Sequence, residues 1–153
     1  MTTIDLSRFV TQDSALTQEG KEAVSLAFAV LKLACHGNAL AHGWYDNVPT
    51  PADRNFSELT SLLHTEISEA YEAYREGDDY RDVALEWPES LPSGKDRGAP
   101  VVPKPVGVAS EFADVIIRLF DTVGALDIPL TKAVIEKHHY NQTRPYRHGG
   151  KLA

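Results

Sequence analysis

The sequence predicts an all-α fold, a four-helix-bundle-like core with a Pro-rich insertion between the second and third main helices. Three observations predict it. Apolar residues recur at helical spacing in four separate segments. No segment shows the alternation expected of a half-buried strand. Helix-stopping residues gather between those segments, five of the nine prolines falling within 78–108.

At 153 residues the chain has the length of one domain, read as 1–153 with an irregular insertion over 78–108 and a basic tail over 142–153. Its 42% hydrophobic content argues for an ordered globule rather than a disordered chain. A net charge of −7 argues against a protein that covers a nucleic-acid backbone, which needs clustered Lys and Arg. Acidity leaves a nucleotide open as a ligand, because a metal ion or a local basic cluster suffices for a small anion. Cys35 is the sole cysteine; it is expected to be core filler in a reducing compartment. The N-terminus lacks a signal-peptide pattern, and no uninterrupted apolar run approaches the roughly 20 residues of a membrane span. A cytoplasmic setting with no membrane partner is therefore expected.

After a polar lead-in, Leu16, Ala23, Leu26, Ala27, Val30, Leu31, Ala34 and Cys35 mark a first helix over Ala15–Leu40, expected to be interrupted near Gly37. A loop punctuated by Gly43, Pro49 and Pro51 follows. It carries Trp44 and Tyr45 beside His42, a pair that could pack as a lid or stack on a base. The second helix, Asn55–Gly77, starts at Asn55 or Ser57 as N-cap with Glu58 in the first turn. Its apolar arc holds Leu59, Leu62, Leu63, Ile67, Ala70 and Tyr74, with Tyr71 at the edge and Glu66 inside. A carboxylate in a core arc needs a compensating cation, a metal or a salt-bridge partner. Glu72 and Glu76 fit a solvated face.

The third helix is expected from Ser110, its cap, to Gly124, with Phe112, Val115, Ile116, Leu119, Phe120 and Val123 inward and Glu111, Asp114, Arg118 and Asp121 on a polar strip. A fourth runs from Ile128 to about Tyr140, with Pro129 near its first turn and Leu130, Ala133, Val134 and Tyr140 inward. His138 and His139 close it, either as helix-end cations or as metal ligands. The tail NQTRPYRHGGKLA joins Arg144, Arg147, His148 and Lys151 to Gly149 and Gly150, a composition suited to clamping phosphate.

Glu66 and Glu69 form an E-x-x-E, and Glu111 and Asp114 an E-x-x-D, each pair lying on one helix surface. Oxygen-only donors suit a hard cation, Mg²⁺ with Mn²⁺ as a substitute. A di-iron site would ordinarily place a histidine three residues after a glutamate, and neither motif does.

These blocks resemble the MazG-like, all-α nucleoside triphosphate pyrophosphohydrolases. The resemblance rests on HTEISEAYEAYR, on KPVGVASEFADVIIRLFD and on KHHYNQTRPYRHGGK from Lys137 to Lys151, and more loosely on HGWYDN from His42 to Asn47. It implies Mg²⁺ held by Glu66, Glu69, Glu111 and Asp114, with Glu66 and Glu69 best placed to orient water. Lys137, Asn141 and Arg144 would contact phosphate or sugar, with His148, Lys151 and Trp44 as further substrate contacts. The reaction implied is cleavage of a ribo- or deoxyribonucleoside triphosphate to the monophosphate and pyrophosphate, by a homo-oligomer, dimer or tetramer, in nucleotide metabolism. Two features depart from the family pattern: Thr65 stands where a glutamate often precedes the first ligand, and the interval between the acidic pairs is long. The rival reading is a non-catalytic helical interaction module in which the acidic pairs form salt bridges with Arg118 and Lys137.

Overall fold

A computed structural model describes residues 5–90 and 100–146. The chain is all-α. Its helices are α1 (Gln18–Ala41), α2 (Phe56–Glu76), α3 (Val108–Ala125) and α4 (Leu130–Gln142), with single 3-10 turns at Leu6–Arg8 and Pro51–Asp53. Two compact units divide it, Asp53–Leu119 and Met1–Ala52 with Phe120–Ala153, so the N-terminal part of α3 belongs to the first and its last turns to the second.

In the unit Asp53–Leu119, α2 is closed at both ends by its own sequence. The Asn55 side chain accepts from the Ser57 and Glu58 amides at 2.9 and 3.4 Å, satisfying donors that a helix start leaves orphaned. At the other end Gly77 adopts φ 106°, and its N–H returns to the last carbonyls of the helix, a left-handed cap that glycine adopts without strain. The buried residues of α2 are Leu59, Glu66 and Ala70, with Leu62 and Leu63 half-buried. Ile67, Tyr71 and Tyr74, expected inward or at the edge, are exposed, as are Phe112 and Ile116 of α3. The apolar arcs are wider than the face this unit covers.

A two-stranded antiparallel ribbon, β1 (Ala84–Glu86) and β2 (Lys104–Val106), lies in the insertion with Leu85 opposite Pro105 and Glu86 opposite Lys104. Both strands are edges, where proline costs little, and three residues are too few to display alternation. Gly107, at φ 94°, turns β2 into α3. Ser110 is not the cap of that helix: it lies in the first turn, its hydroxyl donating to the Pro105 carbonyl at 3.0 Å.

In the other unit, Thr17 caps α1 through the Gly20 amide at 3.0 Å. A Cβ on Gly20 would lie 2.0 Å from the Phe9 carbonyl oxygen, so this approach requires glycine. Two glycines expected to stop helices do not. Gly37 lies within α1, which runs on to Ala41, an isolated helical glycine being tolerated. Gly124 lies within α3, and a Cβ there would meet the His36 Cβ at 2.5 Å; it serves close packing rather than termination. The core here joins Ala39, Tyr45 and Ala125 to Val48 and Leu126, and the Phe28 and Phe120 rings meet edge to face at 5.0 Å. Cys35 is buried and free, as expected, and burial, aided by the Asp121 charge, pushes its thiol pKa up.

The fourth helix starts after Pro129 and extends to Gln142; Leu130 is half-buried, whereas Ala133, Val134 and Tyr140 are exposed rather than inward. On α1, Leu26, Val30 and Leu33 are also exposed, Leu33 by 73%. Taken whole, α1 is long and apolar enough to cross a membrane by length and composition. Its uninterrupted apolar runs are nonetheless short, broken by Lys32 and His36.

Candidate metal centre

Within the unit Asp53–Leu119, the buried stripe of α2 and the first turns of α3 bring three carboxylates together. Glu66, Glu111 and Asp114 each present an oxygen, and these oxygens all lie within 4.8 Å of one another. Helical spacing does this locally: Glu66 continues the stripe of Leu59 and Ala70, and Glu111 and Asp114, three apart, share one face of α3. Glu66 is 4% exposed; Glu111 and Asp114 are half-buried.

The electrostatics are those of an anion excess. Burial pushes the Glu111 carboxyl above the usual glutamate range; the Glu69, Asp114 and Glu66 charges add to the shift, and Lys104 on β2 opposes it. Glu69 is exposed and outside the group of three, yet its charge reaches Glu111. One cation is bound directly: Arg118 Nε lies 2.5 Å from Glu66 Oε1. This is one of the two salt bridges of the rival reading. Lys137, the other cation of that reading, belongs to the other unit, where its ammonium lies 5.5 Å from the centre of the Tyr140 ring.

The donor set fits a hard divalent ion. All three groups offer carboxylate oxygens, as Mg²⁺ and Mn²⁺ prefer, and a cation would relieve the repulsion that raises Glu111. Thr65, at the departure from the family pattern, turns its hydroxyl onto the Leu62 carbonyl of its own helix at 2.7 Å. Glu72 pairs with Arg75 at 2.9 Å on the exposed face, as expected of a solvated position.

The remaining predicted residues lie in the unit that holds α1 and α4. Lys137 and Asn141, with Ala133, Val134 and His138, line a shallow groove of about 480 Å³ on α4. Arg144 follows that helix, its guanidinium 6.0 Å from the Tyr140 ring centre. Neither His138 nor His139 joins a metal-capable group among the described residues. Of the adjacent aromatics, Trp44 is 58% exposed and Tyr45 is buried. His148 and Lys151 lie outside the described residues.

Sequence reasoning missed a second polar network in that unit. Asp121 Oδ1 accepts from the Tyr45 hydroxyl at 2.7 Å and contacts His36 Nδ1 at 2.8 Å, and the His36 and Tyr45 rings meet edge to face at 5.2 Å. These partners are 76 and 85 residues from Asp121 in sequence, beyond the reach of any periodicity. Arg118, by contrast, had a local signal: it stands one turn after Asp114 on the same face.

No family model matches this chain, no curated protein matches it, and no solved structure matches its fold.

Proposed function

We propose that the protein is a Mg²⁺-dependent nucleoside triphosphate pyrophosphohydrolase of the MazG-like kind, converting a (d)NTP to the (d)NMP and pyrophosphate. The observation that carries the reading is the convergence of Glu66, Glu111 and Asp114 within 4.8 Å, drawn from the two acidic motifs that the resemblance singles out. The ion, when bound, offsets the triphosphate charge and polarises the scissile anhydride. The chain's own groups do the rest. Glu69, exposed beside the three carboxylates, orients the attacking water and accepts its proton; Glu66 is committed to the ion. A bond forms from the water oxygen to the α phosphorus as the bond to the bridging oxygen breaks, and pyrophosphate leaves. Lys137, Asn141 and Arg144, with His148 and Lys151, bind phosphate and sugar, and Trp44 offers a face for the base.

The setting proposed is cytoplasmic nucleotide metabolism, without nucleic-acid or membrane partners. The exposed apolar residues of α1, α2 and α3 support a homo-oligomer, dimer or tetramer, in which a second copy covers them.

Incubating the protein with each common ribo- and deoxyribonucleoside triphosphate, with and without Mg²⁺, and measuring pyrophosphate tests the activity. Mg²⁺-dependent release is expected for at least one of them; none from any would refute it. The alternative, a helical interaction module, is favoured by the Arg118 to Glu66 ion pair. It predicts neither hydrolysis nor a rise in melting temperature with Mg²⁺.

A further inference from the structure

We propose that Arg118 is a positioning residue that guards the metal centre: its guanidinium holds the buried Glu66 carboxylate until a divalent ion enters, and the ion binds by displacing it. The inference rests on the metal-centre reading above and adds a residue that neither acidic motif contains. Its basis is geometric. Glu66 is the most deeply buried of the three converging carboxylates, and Arg118 Nε contacts its Oε1 at 2.5 Å. A buried carboxylate without a counter-charge is strongly penalised, so some cation must accompany Glu66 in the ion-free protein. Arg118 is suited to a reversible version of that duty. Its side chain is 34% exposed, so its charge regains water on release instead of being stranded. The ion pair is made through Nε–H, a charge-assisted contact to a single carboxylate that a divalent ion can replace. An Mg²⁺ ion carries twice the charge and draws on Glu111 and Asp114 as well, whereas the arginine compensates chiefly Glu66.

Two measurements on the metal alone test this, neither needing turnover. The first follows the Arg118 Nε–H resonance by NMR in the wild-type protein, assigned by its loss in Arg118→Lys, while Mg²⁺ is added. Displacement predicts that the resonance leaves its hydrogen-bonded position in step with metal occupancy. The second measures Mn²⁺ affinity for wild type and Arg118→Gln, with helix content checked by circular dichroism. The variant is expected to bind Mn²⁺ at least tenfold more tightly while its metal-free melting temperature falls, opposite signs that a purely structural salt bridge would not produce. A resonance that stays in place at saturating Mg²⁺ overturns the role of Arg118 and leaves the metal centre standing. Saturable binding of neither ion by wild type or variant overturns both. If Arg118→Gln fails to fold, the wild-type resonance decides by itself.

Discussion

Two carboxylates withdrawn from solvent, Glu66 in one unit and Asp121 in the other, are held in contrasting ways. Asp121 meets a Tyr45 hydroxyl and a His36 ring nitrogen at 2.7 and 2.8 Å, and it belongs to no metal-capable group among the described residues. Its hydrogen-bonding needs are met by partners matched to one carboxylate. Glu66 meets one guanidinium and two further carboxylates. The first arrangement is complete as it stands, and the second carries more negative charge than its neighbours balance. Burial alone therefore does not separate the two acids; uncompensated like charge does.

The comparison can be broken by substitution, and the largest effect falls on the excess-charge side. Asp114→Ala should lower pyrophosphate release by at least about a hundredfold, since loss of a direct ligand should cost no less than loss of an outer partner, with helix content unchanged by circular dichroism. Turnover at the wild-type rate would remove Asp114 from the metal set. On the other side, Asp121→Ala should cost about 2–3 kcal/mol of stability in urea titration, because it removes the half-buried carboxylate shared by the His36 ring and the Tyr45 hydroxyl. That loss should be the same with and without Mg²⁺.

Gly124→Ala should come next, destabilising by about 1–2 kcal/mol through overpacking against His36 even though alanine is the better helix former. A more stable variant in thermal denaturation would show that His36 can move aside. The smallest effect is the most diagnostic. The Glu111 carboxyl titrates above its ordinary value of 4.5 in the fold, so the folded state favours its protonated form. The associated stability is complete below that ordinary value and is lost as pH rises through the raised one. Glu111→Gln should therefore melt higher than wild type in metal-free buffer at neutral pH, by less than about 1 kcal/mol. The gap should close as pH falls to 4.5 and reverse when Mg²⁺ is present. A gap independent of pH would place its cause outside this carboxyl.

What the sequence made legible was what is local. Asn55 and Gly77 bound α2 as expected, because both caps act through residues within a few positions of themselves. The phase of Glu66 against Leu59 and Ala70 follows from helical geometry alone. Gly124 was misread because its reason is the His36 side chain, 88 residues away by numbering. The ribbon escaped notice because two three-residue strands, one with a proline at its centre, carry too little pattern. The apolar arcs of α2 and α3 were legible, but how much of each a single chain covers was not: Ile67 and Ile116 read as core and are exposed.

The two left-handed glycines at the ends of the insertion have a consequence for how the chain can vary in length. Gly77, at φ 106°, finishes α2 against its own carbonyls, and Gly107, at φ 94°, starts α3 through its own carbonyl, which accepts the Ser110 and Glu111 amides at 2.9 and 3.1 Å. Each helix end is thus fixed by residues on its own side of the interval. Residues can be added or removed between β1 and β2 without rotating Glu66 or Glu111 about its helix axis. A single residue inserted between Asn55 and Glu66 would turn that carboxylate by about 100° away from its partners. The interval between the acidic pairs is consequently free to drift, while the spacing inside each helix is not.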